Sequence, residues 1–300
     1  MGKILISNQS AHWYDRDGNP RYGSGLREAR KENLVPSVTT IMNVIDKYQI
    51  GVWKQEQAIL SVLDAIRRYK ESDSEFDYND IEFNENNDVL LNVIRSELDC
   101  RLSKAATVGT KVHSAIESYL ILRGLKDGSD KEKNAGDVIE TINEVLCFFD
   151  PAKKWIDNHI CDGDLEKSFS NNCLGFAGRI DYDGALKNMS WFDSEIGDEP
   201  FDAIVDFKTQ NVKNGKPKFW DEMVYQLAAY RKKDSKTEDF VEMEDGKRLV
   251  TVIISTNPDF PGATAKVWPE FPTKKAGLSA KEGWEIFKAA RDLFFKIKNL

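Results

Sequence analysis

The segment "IVDFKTQ", Ile204–Gln210, ends an apolar run with an aspartate and a lysine two residues apart. Residues two apart on a β-strand share one face, so Asp206 and Lys208 would present a carboxylate and an ammonium group side by side. Taken alone, such a pair is more often a solvent-exposed salt bridge. A second aspartate, Asp181, ends the preceding predicted strand after "GFAGRI". We expect these consecutive strands to pair, which would bring the two carboxylates together at one edge of a sheet.

Two carboxylates at close range repel each other unless a cation lies between them. Mg²⁺ or Mn²⁺ prefers such oxygen ligands and retains several waters. Lys208 would then face a water on the ion or an oxygen of a phosphate. This arrangement suits hydrolysis of a phosphodiester, in which a metal ion activates water and offsets the developing negative charge.

Two further pairs of polar residues lie four apart, the spacing that places side chains on one face of a helix. In "GTKVHSAIE", His113 and Glu117 share such a face, and we expect the flanking Val112, Ile116 and Leu120 to anchor this helix in the core. A histidine there is usually structural. Beside a carboxylate pair it becomes a candidate metal ligand, with Glu117 supporting that ion or binding a second one. Gln226 and Tyr230 form either a half-buried helix edge or a pair that orients Lys208 or contacts a phosphate.

The order of elements predicts the fold class. Helical periodicity dominates to about residue 150, and from Leu165 the pattern changes to three strands, a helix, two strands and a final helix. This order is typical of an α/β protein with a mixed central β-sheet flanked by helices and an N-terminal helical region. We expect Ser37 to cap a helix that reaches about residue 69, and the helix in "VIETINEVLCFF" to end before Pro151.

Composition excludes several classes of protein. With 300 residues, 41% of them hydrophobic, the chain can bury a substantial core, which argues against wholesale disorder. A net charge of −8 argues against a general polyanion binder, so any contact with nucleic acid must come from a local basic patch. The four cysteines form no C-x-x-C pair, which indicates thiols in a reducing compartment. We find no secretory signal and no apolar run of membrane-spanning length, and therefore expect a cytoplasmic protein without a membrane partner.

Four motifs in order, "GTKVH", "GFAGRID", "VDFKT" and "QLAAY", resemble those of the PD-(D/E)xK nuclease superfamily, specifically its RecB-type branch. The N-terminal "VPSVTTI" followed by "WKQEQAI" is similar to bacteriophage-encoded exonucleases and to the mitochondrial genome-maintenance exonuclease. The resemblance covers residues 24–300 apart from the acidic stretch 71–88 and the connectors. It implies a restriction-endonuclease-like core over residues 101–300. Over residues 1–100 we expect a hairpin arm, indicated by aromatic residues on either side of the turn-forming "DGNP", and a helical DNA-binding region.

The resemblance also implies an activity. It is that of a Mg²⁺- or Mn²⁺-dependent DNA exonuclease acting in phage DNA replication, recombination or repair, in the host-cell cytoplasm if the chain is phage-encoded. The expected partner is DNA, single-stranded or with free ends, together with a helicase, a single-strand-binding protein or a recombinase. Two alternatives stay open. One is a structure-specific endonuclease of the same fold, and the other is a catalytically inactive DNA-binding module.

Individual roles follow from matching the motifs residue by residue. The resemblance implies that the metal ligands are His113, Asp181, Asp206 and the carbonyl of Phe207. It implies that Lys208 positions or activates the attacking water, with Gln226 and Tyr230 supporting the site. The "PSVT" segment implies that the strand of DNA runs along Ser37, Thr39 and Thr40. Because they neighbour motif residues, we expect phosphate contacts from Lys104, Lys111 and Arg179. We also expect Thr209, the last residue of "VDFKT", to bind the substrate.

This sequence departs from the family pattern in two ways. Ile180 replaces the proline of the family name, as is usual in the RecB-type branch. Some relatives hold an iron–sulfur cluster on one early and three late cysteines, whereas no cysteine here follows Cys173. We therefore expect no cluster. The sequence also lacks a G-x-x-x-x-G-K-[ST] loop, so ATP-driven unwinding by this chain is not expected.

Overall fold

The computed structural model describes residues 12–45, 48–71, 88–127, 145–189, 199–241, 246–272 and 277–300. These residues form two compact units. The first contains Met1–Ile45 and Gly109–Leu300, and the second contains Asp46–Val108. The predicted acidic surface stretch lies almost wholly outside the described residues.

The first unit is built on a six-stranded sheet. Its strands lie in chain order across the sheet and are β3 (Lys126–Asp127), β4 (Ile160–Asn171), β5 (Phe176–Leu186), β6 (Phe201–Gln210), β7 (Arg248–Ser255) and β8 (Ala263–Trp268). Pairs β4–β5, β5–β6 and β7–β8 are antiparallel, whereas β3–β4 and β6–β7 are parallel. The sheet is therefore mixed, as the order of elements predicts.

Helices cover both faces of this sheet, which confirms the predicted α/β class. Helix α5 (Leu146–His159) packs on the face that carries Phe207, whose ring meets that of Trp155 edge-on at 6.1 Å. Helix α6 (Asp221–Arg231) belongs to the core cluster that includes Ile204, on the opposite face of β6. Helix α6 provides the crossover that the parallel β6–β7 pair requires.

The final helix, α7 (Ala280–Lys298), begins and ends at residues suited to those positions. Ser279 caps its first turn in a capping box with Glu282, and Asn299 adopts the left-handed conformation at its end. Its apolar face packs against α6. Within α7 the rings of Trp284 and Phe287 stack, with 5.8 Å between their centroids. This packing completes the core on that side of the sheet.

The N-terminal residues pack on β5 and on the core. Strand β1 (Trp13–Tyr14) pairs with β2 (Val35–Pro36), and the predicted hairpin turn is present, with Tyr14 bridged to Pro20. Helix α1 (Leu26–Glu32) follows β1, and helix α2 (Val38–Met42) follows β2. Ser37 caps α2 as predicted, because its hydroxyl accepts a hydrogen bond of 3.1 Å from the Thr40 N–H.

The second unit contains α3 (Tyr48–Glu71) and the first part of α4 (Asp88–Leu122). An ion pair between Arg101 and Asp64 links the two helices. Among the described residues, no helix is long and apolar enough to cross a membrane.

Three sequence-based boundaries need correction. The division at residue 100 differs from the contacts, which group the first 45 residues with the sheet because Trp13, Leu34 and Ile41 are part of its core. The single helix expected from Ser37 to about residue 69 is instead a short α2 followed by α3.

Of the helix expected over "VIETINEVLCFF", residues 138–144 lie outside the described residues. The described helix α5 does not end before Pro151 but continues through it to His159. Pro151 removes one backbone N–H donor near the start of α5. Burial of Phe149, Ala152, Trp155 and Ile156 against the sheet holds the helix together despite this loss.

Candidate active site

Asp181 and Asp206 lie where the β5–β6 ladder ends. The ladder runs from Leu186–Phe201 to Tyr182–Val205, and Asp181 and Asp206 follow directly on the two strands. Beyond that point Asp181 reaches across, and its Oδ2 accepts a hydrogen bond of 2.8 Å from the Phe207 N–H. The charge of Asp181 also contributes to raising the pKa of Asp206, after the larger effect of burial. The two carboxylates therefore lie close enough to interact.

Asp206 and Lys208 share one face of β6, as their spacing predicts. Lys208 Nζ donates a hydrogen bond of 2.7 Å to Asp206 Oδ1. The Asp206 side chain is 2% exposed and that of Lys208 32%, so the ammonium reaches toward solvent from a buried carboxylate. The second oxygen, Oδ2, is buried without a hydrogen-bond partner in the described part of the chain. A buried carboxylate oxygen in this state favours a cation.

The protonation of these groups follows from their burial. Burial, reinforced by Asp181 and opposed by Lys208, raises the pKa of Asp206 to about 6. Burial also raises the pKa of Asp181, against the effect of Lys208 and the Phe207 N–H. Burial lowers the pKa of Lys208, but the attraction of the two carboxylates is stronger and raises it above its ordinary value. At neutral pH Lys208 is therefore a cation between two acidic groups.

Helix α4 brings His113 to the same place. Val112, Ile116 and Leu120 are buried and anchor the helix, as the sequence predicts. His113 Nδ1 lies 3.9 Å from Asp181 Oδ2. Burial, followed by the charge of Lys208, lowers the pKa of His113 to about 4. The imidazole is therefore neutral at pH 7, the form in which histidine binds metal ions.

Glu117, one turn after His113, belongs to this group. Its charge is among the causes that raise the pKa of Asp181, and it opposes the lowering of the pKa of His113 by burial and Lys208. The pair predicted from helical spacing thus contributes one imidazole and one further negative charge beside the strand ends.

Gln226 and Tyr230 lie in the core next to the carboxylates. The Gln226 amide donates a hydrogen bond of 2.6 Å to the Tyr230 hydroxyl. Burial, with Asp206 and Asp181 adding to it, raises the pKa of Tyr230 well above its ordinary value. A Cβ at Gly178 would lie 2.9 Å from the Tyr230 ring, so glycine in "GFAG" makes room for this tyrosine.

The structure also locates the residues predicted to bind the substrate. Ser37, Thr39 and Thr40 join their hydroxyls through hydrogen bonds of 3.0 and 2.8 Å, and Ser37 forms a bridge with Ala177 of β5. Thr209 lies against helix α4, since a Cβ at Gly109 would be 2.8 Å from its hydroxyl.

The three basic residues predicted to contact phosphate are placed differently. Arg179 lies two residues before Asp181 on β5, and its charge is among the causes of the pKa shifts of Asp181 and His113, after burial and Lys208. Lys111 is two residues from His113 on α4, a spacing that does not share a helix face. Lys104 belongs to the second unit and is exposed.

Two residues near this site were missed by sequence reasoning. Glu166 on β4 lies 2.6 Å from Arg179, and the buried Tyr14 hydroxyl has a pKa raised to about 12 by burial, with Arg179, Tyr22 and Glu166 nearby. No spacing in the sequence links Tyr14 or Glu166 to the motifs, because the contacts depend on how β1 and β4 meet β5.

The donor groups fit a divalent cation by their chemistry. They are two carboxylates, one of them with an unpartnered buried oxygen, and a neutral imidazole. In the described ranges, no group of three or more His, Cys, Asp or Glu side chains is already arranged to hold a metal ion. In this structure Asp206 Oδ1 accepts a hydrogen bond from Lys208 Nζ, and Asp181 Oδ2 accepts one from the Phe207 N–H.

No protein-family model and no curated protein matches this sequence.

Proposed function

We propose that this chain is a Mg²⁺- or Mn²⁺-dependent DNA exonuclease that hydrolyses phosphodiester bonds. The observation that supports the proposal is the meeting of Asp181, Asp206, Lys208 and His113 at the end of the β5–β6 ladder. Two carboxylates, a neutral imidazole and a protonated lysine form a constellation suited to cutting a charged phosphodiester. The order of the motifs in the sequence supports the same activity.

The residues that would hold the ion are His113, Asp181 and Asp206, with the Phe207 carbonyl. When bound, Mg²⁺ or Mn²⁺ would supply an acid that polarises a phosphoryl oxygen and lowers the pKa of a water. Asp206 Oδ2 is the buried oxygen that lacks a partner among the described residues, and it suits this role best. The neutral His113 needs no deprotonation at pH 7.

Lys208 has a donor role in this scheme. Although burial lowers its pKa, the two carboxylates raise it, so the side chain carries a proton at neutral pH. A protonated ammonium cannot act as a general base. It can instead donate a hydrogen bond that orients the attacking water, and it can stabilise negative charge that develops on a phosphate oxygen. The Tyr230 hydroxyl accepts a hydrogen bond from Gln226, and this buried pair would support the site from the core.

The proposal is tested with end-labelled DNA, single- and double-stranded, linear and covalently closed, in Mg²⁺, Mn²⁺ or EDTA. We expect metal-dependent shortening of linear DNA from its ends and no cutting of closed circles. Lys208→Ala should reduce cleavage by about a thousandfold. Lys288→Ala, a lysine of α7 paired with Glu285 at 2.9 Å, is the matched control and should cut like the wild type.

Three results would contradict the proposal. Cleavage that persists in EDTA would show that the reaction does not depend on a metal ion. A fully active Lys208→Ala would show that this group of residues is not the active site. Cutting of closed circles would replace the exonuclease with an endonuclease.

A further inference from the structure

Glu166 has a backbone conformation that is unusual within a strand. Its φ is +48°, although the β4–β5 ladder continues on both sides of it, with Leu165 paired to Tyr182 and Lys167 to Ile180. In this left-handed region the Cβ of a residue other than glycine is in steric conflict with the backbone. Such strain persists where surrounding contacts hold it, and it is concentrated at functional sites. By the register of the ladder, Glu166 lies opposite Asp181.

The side chain of Glu166 makes a short contact with Arg179. Its Oε2 lies 2.6 Å from Arg179 Nε, and the Glu166 side chain is 10% exposed while that of Arg179 is 39% exposed. The carboxylate therefore binds the inner nitrogen of the guanidinium from a buried position. The Nη1–Nη2 edge of a guanidinium held at Nε is the edge that can bind two oxygens of one phosphate.

The N-terminal hairpin packs on the same face of β5 as Arg179. Ala177, Arg179 and Asp181 alternate along β5 and share one face. Tyr14 packs with Val35 against Ala177 on that face. Arg179 thus lies in a row between a buried tyrosine and the candidate metal ligand Asp181, with Glu166 from the neighbouring strand fixing its head group.

Resting on the proposed function, we propose that Glu166 is a positioning residue that holds the Arg179 guanidinium for a phosphate of the DNA strand next to the scissile bond. The observations that carry it are the 2.6 Å contact and the strained backbone at Glu166. Arg179 touches the substrate phosphate, and Glu166 acts through Arg179. The strained backbone aims the Glu166 carboxylate at Nε.

A double-mutant cycle tests this coupling. Arg179→Ala should lower kcat/KM on end-labelled DNA by about a hundredfold, and Glu166→Ala by about tenfold. Because Glu166 acts only through Arg179, adding Glu166→Ala to Arg179→Ala should change kcat/KM by less than about twofold. Equal tenfold losses in both backgrounds would overturn the inference.

The strained backbone at Glu166 allows an effect on stability to be separated from an effect on catalysis. Glycine adopts φ +48° without penalty, so Glu166→Gly should melt at a higher temperature than Glu166→Ala. If Glu166 positions Arg179, both variants should nevertheless lose the same tenfold in kcat/KM. A Glu166→Gly variant with wild-type kcat/KM would reduce Glu166 to a structural residue.

Two further variants keep the result interpretable. Glu166→Gln retains an acceptor for Arg179 Nε and should lower kcat/KM by about threefold. In an Arg179→Ala background, Glu166→Gln should not lower kcat/KM further. Asp164→Asn breaks the 2.9 Å ion pair with Lys167 on the same strand and should leave kcat/KM unchanged. A wild-type protein that leaves DNA intact would overturn the proposed function together with this inference. Normal cleavage with additive losses would overturn the inference alone.

Discussion

At the scale of single residues, Asp206 is a buried carboxylate whose charge is only partly compensated by its neighbours. Its side chain is 2% exposed, one oxygen is bonded to Lys208 and the other has no partner among the described residues. Burial and the neighbouring Asp181 raise its pKa to about 6, so ionisation at pH 7 opposes folding of the metal-free chain. The charge that would bind a metal ion under the proposed function therefore lowers the stability of the metal-free chain.

The first prediction is that Asp206→Asn stabilises the fold while it abolishes cleavage. In EDTA at pH 7 the free energy of unfolding should rise by about 1–2 kcal/mol, because a buried charge is removed and the charge of Asp181 still favours the protonated form of Lys208. Cleavage should fall by about a thousandfold. Urea denaturation and a labelled-DNA assay measure the two effects. Asp164→Asn, whose carboxylate is 41% exposed, should change neither, and a less stable Asp206→Asn would contradict the argument.

His113 produces a stability change with pH of definite sign. Its pKa in the fold is about 4, below the ordinary 6.5, so the unfolded chain binds the proton more tightly. The stabilisation is complete above pH 6.5 and is lost as the pH falls through 4. Asp206 acts in the opposite direction, because its pKa of about 6 exceeds the ordinary 3.8. The two effects overlap, so the His113 effect must be isolated.

The second prediction therefore uses Asp206→Asn as the background. Between pH 7 and pH 5 in EDTA, this variant should lose about 1 kcal/mol more unfolding free energy than Asp206→Asn/His113→Gln, after allowance for the partial exposure of the imidazole. Urea denaturation at the two pH values measures the difference. Identical losses in the two proteins would show that His113 titrates normally in the fold.

At the scale of elements, the approach of α4 to β6 sets the position of His113. Gly109 opens the "GTKVH" segment, and a Cβ there would lie 2.8 Å from the Thr209 hydroxyl. Glycine normally weakens a helix interior relative to alanine. Its presence here allows the helix backbone to reach the strand that carries Asp206 and Lys208.

The third prediction is that Gly109→Ala has opposite effects on stability in the wild type and in a Thr209→Ala background. Gly109→Ala should destabilise the wild type by about 1 kcal/mol, because the short Thr209 side chain cannot move aside. In a Thr209→Ala background the same change should stabilise the protein by about 0.5–1 kcal/mol, through helix propensity alone. Thermal or urea unfolding of the four proteins decides the matter. An effect of the same sign in both backgrounds would mean that Thr209 is not the obstacle.

At the scale of the whole molecule, the proposed binding of DNA by a chain of net charge −8 would depend on local groups. Around the candidate site the exposed cationic groups include the ammonium of Lys208 and the guanidinium of Arg179, both of which are paired on their inner sides with buried carboxylates. Long-range attraction is therefore weak, and the affinity for DNA should depend on a small number of phosphate contacts.

The fourth prediction concerns the salt dependence of binding. In EDTA, where no cleavage occurs, the affinity for labelled single-stranded DNA should fall with salt, and Arg179→Ala should reduce the slope of log K against log salt by about 0.7–1. Fluorescence anisotropy between 50 and 200 mM salt would measure this. Lys288→Ala should leave the slope unchanged. An unaltered slope in Arg179→Ala would exclude a phosphate contact by this residue.

Much of the fold was predictable because its signals are local. The apolar run in "FDAIVDFKTQ" and the helical spacing of Val112, Ile116 and Leu120 depend on neighbouring residues, and the strand and the buried helix face were both confirmed. Errors arose where tertiary packing outweighs local preference. Trp155 and Ile156 hold α5 together across Pro151, and Trp13 joins the N-terminal segment to the core of the sheet.

The sequence by itself determined which residues reach the strand ends, since the period of a strand and the pairing of consecutive strands follow from the chain. Only the tertiary structure decided what surrounds them. The contact of Glu166 with Arg179, the close approach of Gly109 to Thr209 and the unpartnered Asp206 oxygen all depend on how separate elements pack. Burial raises the pKa of Asp206 and lowers that of His113, and burial is a property of the folded whole.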